Sequence, residues 1–68
     1  MTTAADIKVR LDELYSERRA AEPAGLTSFE PYMHDLEDEI AECRALFAAA
    51  AVTEIAIFRA QLSGPLAG

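Results

Sequence analysis

The stretch SFEPYMHDLEDEIAECRALFAAAAVTEIAIFRAQL, Ser28 to Leu62, decides the fold, because one unbroken apolar stripe runs through it at helical spacing. The stripe is Phe29, Met33, Leu36, Ile40, Cys43, Phe47, Ala51, Ile55, Phe58 and Leu62. Its steps of three and four residues predict one long helix, ending before the Ser63, Gly64, Pro65 stop signal. Thr27 or Ser28 can cap its start, with Glu30 completing a Thr-x-x-Glu box and Pro31 tolerated in the first turn. Phe29, Ile40, Ala51 and Leu62 recur at an eleven-residue interval, as do Leu36, Phe47 and Phe58. That interval predicts a nearly straight helix in a bundle rather than a left-handed heptad coil.

Upstream lies a shorter amphipathic segment, Thr3 to Ala21. Thr3 with Asp6 forms a variant of the capping box, and Ala4, Ile7, Leu11, Leu14, Arg18 and Ala21 share one face, broken only by Arg18. Asp6 and Arg10 have the spacing of an i, i+4 ion pair. Glu22, Pro23, Ala24 and Gly25 supply the reversal. The expected fold is all-α and a single domain over residues 1–68: an antiparallel hairpin of a short helix (3–21) and a long one (28–62).

The two helices differ in length by almost a factor of two, roughly 27 Å against 52 Å at the helical rise. The long helix therefore overhangs from about Phe47, and the overhang is its apolar part. Leu46 and Ile57 lie on one flank of the stripe and Val52 on the other, so large apolar side chains point in several directions. Leaving such side chains in water forgoes about 1.5 to 3 kcal/mol each. A chain of 68 residues buries only about 60% of its unfolded surface and has little stability to spare. Self-association through Leu46, Phe47, Ala51, Val52, Ile55, Ile57, Phe58 and Leu62 is the expected remedy, most simply as a two-fold dimer forming a four-helix bundle. Ala45, Ala49, Ala56 and Ala60 line the opposite side, as helix-favouring alanine or as a seat for a close neighbour.

Charge is segmented. Residues 22–42 hold seven acids and no Lys or Arg, which accounts for the net charge of −6. Asp35, Asp38, Glu39 and Glu42 form an acidic outer face, read either as a solvated surface or as contact with a basic partner. Direct nucleic-acid binding requires clustered Lys and Arg, which the sequence lacks.

His34 stands i, i+4 from both Glu30 and Asp38, so an ion site and a surface pair with Asp38 are both conceivable; the spacing is not that of a bundle di-iron motif. Cys43 reads as a packed thiol. Tyr15, Tyr32, Phe29, Phe47 and Phe58 read as core aromatics rather than a base-stacking platform. Glu54, alone in the apolar half, is expected to reach Arg44 or Arg59 of another chain.

No phosphate loop or nucleophile elbow occurs, and no metal, cofactor or small-molecule substrate is expected. One cysteine, no apolar leader in Met1 to Arg10, and an apolar half interrupted by Glu54 and Arg59 point to the cytoplasm and away from a membrane. Alanine richness and arginine outnumbering lysine associate compositionally with high-GC bacteria and their phages. The expectation is a non-enzymatic assembly or adaptor subunit binding itself and another protein. The rival readings are a phage or large-particle structural protein docking on a different chain, and an acidic nucleic-acid mimic that inhibits a basic partner.

Overall fold

The computed structural model describes residues 2–63, which form two α-helices, α1 (Ala4–Ala21) and α2 (Glu30–Ser63). They pack against each other as an all-α hairpin measuring 61 × 16 × 16 Å. Its radius of gyration is 17.4 Å, against about 11 Å for a compact domain of this length.

α1 begins as its sequence dictates. The Thr3 hydroxyl accepts from the Asp6 N–H and the Asp6 carboxylate accepts from the Thr3 N–H, both at 3.2 Å, so the reciprocal box satisfies two exposed amides. Asp6 is thereby committed to the cap, and the expected Asp6–Arg10 pair gives way to Arg10 contacts with Glu13 at 3.7 Å and with Glu39.

α1 ends in a Schellman-type turn. The Leu26 N–H donates to the Ala21 carbonyl at 2.9 Å and the Gly25 N–H to that of Glu22 at 3.0 Å. Closing both bonds takes Gly25 to φ +77°, where an L side chain is disfavoured. At this end Leu26 is half-buried and Ala21 buried.

α2 starts two residues later than expected. The Phe29 N–H donates to the Leu26 carbonyl at 3.0 Å, which makes Thr27 and Ser28 the centre of a turn rather than helix caps. The first α2 carbonyl acceptor is then that of Phe29, bonded by the Met33 N–H at 3.1 Å. Phe29 consequently lies outside the seam and is exposed, a correction to its expected place in the stripe. At the other end α2 runs one residue beyond Leu62, and the Ser63 hydroxyl bonds back to the Arg59 carbonyl at 2.8 Å. The stop signal at Gly64 and Pro65 falls outside the described residues.

Leu11 and Leu14 of α1 pack with Leu36, Ile40 and Cys43 of α2, flanked by Ile7, Tyr15, Tyr32 and Met33. No buried polar side chain interrupts this core, and Leu14 is its one fully buried large side chain. The Cys43 thiol lies 3.7 Å from the Ile7 carbonyl, consistent with a packed sulfur.

Gly25→Ala is expected to destabilise the hairpin by about 1 to 2 kcal/mol through backbone strain alone, since the added methyl meets no atom within 4 Å. Urea unfolding followed by circular dichroism checks this.

Candidate interaction surface

Contacts along the hairpin set its register. Cys43 lies beside Ile7, Arg10 pairs with Glu39, and the Tyr32 hydroxyl donates to Glu17 at 2.5 Å. By that register the N-cap of α1 stands level with about Phe47. Phe47, Ala50 and Ala51 are half-buried, and every described residue from Val52 onward is exposed. Cover is thus lost about one turn later than the length estimate implied.

The eight residues expected to form an interface divide accordingly. Phe47 and Ala51 lie in the margin beneath the end of α1. Leu46, Val52, Ile55, Ile57, Phe58 and Leu62 are between 53 and 67% exposed. These six are the greater part of the exposed large hydrophobics; Val9 and Phe29 are scattered elsewhere. Ala51, Ile55, Phe58 and Leu62 continue the line of Leu36, Ile40, Cys43 and Phe47, so the middle of the surface is the core seam extended past its cover, with Leu46 and Ile57 on one flank and Val52 on the other. Ala45, Ala49, Ala56 and Ala60 are exposed on the far side.

Glu54 has a contact within the hairpin. Its carboxylate accepts from the Ala4 N–H at 2.5 Å. Side chains lean toward the N-terminus of their own helix, which carries Glu54 back toward α1, where free amides and the positive dipole end favour an anion. Among the described residues Arg44 and Arg59 take part in no ion pair. Chain spacing alone did not signal this contact; the helix-length difference and side-chain lean together could have.

The acidic face is less uniform than its spacing suggests. Asp35, Asp38, Glu39 and Glu42 are all exposed, but Glu39 is held by Arg10 and Asp38 lies 3.1 Å from His34. Hydrogen bonding and the charge of Glu39 hold the Arg10 pKa above its ordinary value. Arg18, which interrupts the α1 stripe, bonds Glu37 across the hairpin at 3.3 Å and lies 5.0 Å from the Tyr15 ring centre. Glu30, His34 and Glu37 border a shallow groove with Thr27 and Met33, yet no three metal-ligating side chains converge among the described residues. No described helix is long and apolar enough to cross a membrane.

Two outcomes test these contacts. The hydrogen bond to Glu17 raises the Tyr32 pKa, so its stabilisation is present below the ordinary tyrosine range and lost as pH rises through the raised value. Glu17→Gln should move the Tyr32 transition downward in an absorbance titration. Glu54→Gln should lower stability by no more than about 1 kcal/mol in dilute salt, with the difference shrinking in high salt, as measured by thermal unfolding.

Comparison with protein-family models, with curated proteins and with solved structures yields no match to this chain.

Proposed function

We propose that the chain is a non-enzymatic assembly or adaptor subunit of the cytoplasm, acting through protein–protein interaction and homo-oligomerisation of its C-terminal apolar half. The observation that carries this reading is the exposure of Val52, Ile55, Ile57, Phe58 and Leu62 on the length of α2 that α1 does not reach, with Leu46 exposed on the flank at the edge of that cover. Large contiguous apolar surfaces rimmed by polar residues mark interaction sites, whereas scattered single side chains do not. The buried core is too small to offset that exposure comfortably, because among the described residues only Leu11, Leu14, Ala21, Leu36, Ile40 and Cys43 are buried.

The acidic outer face supports the rival mimic reading less well. Two of its four acids already have a basic partner within the hairpin, and the other two do not form a continuous row. Its role in the assembly reading is to keep the apolar chain soluble and to leave one side of α2 uncovered.

Sedimentation equilibrium over a concentration series tests the proposal. The expected result is a discrete multiple of the 7.4 kDa chain mass, with strong helical dichroism. Ile55→Asp or Phe58→Asp should weaken association about 10- to 100-fold while leaving the Leu11, Leu14, Leu36, Ile40 core intact. A monomer at every concentration would sink the self-association reading and assign the uncovered half to a different chain.

A further inference from the structure

We propose that the occupant of the uncovered seam is a second copy of the chain lying antiparallel and tail to tail, an inference that rests on the self-association reading. In this register Ile55 meets the partner's Phe58, and Ala51 meets the partner's Leu62, with the two-fold axis between Ala56 and Ile57.

Spacing is the first support. Ala51, Ile55, Phe58 and Leu62 are separated by four, three and four residues, a sequence of steps that reads identically in either direction. Two antiparallel copies therefore superpose their apolar positions about a two-fold axis, and each large side chain faces a compatible one. Small Ala51 leaves room for Leu62, as the alternation of large and small residues requires in a packed seam.

The second support is the length left free. The N-cap of α1 stands level with about Phe47, and in the proposed register the partner's Ser63 falls level with Ala50. The described part of the partner's helix then lies end to end with α1 along the same seam, the two helix termini roughly 5 Å apart along the axis. Both run in the same direction, which brings the negative end of one helix dipole to the positive end of the other. Glu54 lies on the α1 side of the seam and already has its partner at Ala4, so the second copy need not neutralise it.

Sterics and charge select the orientation. A parallel copy seated on the same seam would run through the space that α1 fills against Leu36, Ile40 and Cys43. It would also bring together two segments that each hold six acids and no Lys or Arg between residues 30 and 42. Antiparallel copies place their Glu42 residues roughly 43 Å apart along the axis. That separation is several times the screening length of about 8 Å at physiological salt.

The test is pulsed dipolar spectroscopy on the full chain carrying one spin label, at Glu42→Cys or at Ala49→Cys, both exposed positions, in a Cys43→Ala background. Cys43→Ser is the alternative background, and circular dichroism verifies the fold of each variant. The expected distance at residue 42 is roughly 40 to 55 Å, shortening by roughly 20 Å when the label moves to residue 49. A distance that does not change between the two sites, in an assembly of any size, overturns the antiparallel register while self-association stands. A monomeric mass with no dipolar signal overturns both.

Discussion

Leu11 and Leu14 pressed against Leu36, Ile40 and Cys43 are what make this chain a hairpin rather than two helices in solution. Neither helix has another source of tertiary cover, and an isolated helix of the length of α1 is marginal in water. The Schellman turn and the Thr3 box sharpen the ends of α1, and the Arg18–Glu37 and Arg10–Glu39 pairs tie its outer edges to α2. These exposed pairs set register more than they stabilise, because solvent screens them. The apolar ridge holds the helices together, and the rim fixes which residues face one another.

Once that ridge is in place, the reach of α1 governs everything beyond it. The seam on α2 does not stop where α1 stops. Glu54 marks the transition, reaching from the uncovered length to the first amide of α1 and fastening the end of the short helix. Beyond it the chain offers apolar surface with almost no net charge, while the acids lie on the covered half. Solubility and stickiness are thus separated along one helix rather than between its two faces.

The two helices, the turn at Gly25 and the buried stripe were legible in the sequence because local signals agree with one another there: a cap at Thr3, three- and four-residue apolar steps, and a Pro-Ala-Gly break. The start of α2 was less legible, since Thr27 and Ser28 serve equally well as caps or as the middle of a turn, and the closing bond from Phe29 to Leu26 chose the turn. Glu54, Arg10 and Arg18 could not be assigned from spacing, because their partners lie on the opposite helix and depend on register. The exposed apolar residues were legible as a group from relative helix length, although where cover ends depends on how far the last turn of packing extends to Phe47 and Ala51.

The run Ala48 to Ala51 sits where tertiary support for α2 fades. Alanine has the highest intrinsic helix propensity and loses no side-chain entropy on ordering. The run carries helical structure out of the packed region into the uncovered length without help from contacts. A binding surface already held in its bound conformation spends less of its interaction energy on ordering than a disordered segment that folds on arrival. In the proposed assembly the alanines would therefore favour affinity by holding the exposed end of α2 helical before a partner meets it, in addition to any contact that Ala51 itself makes.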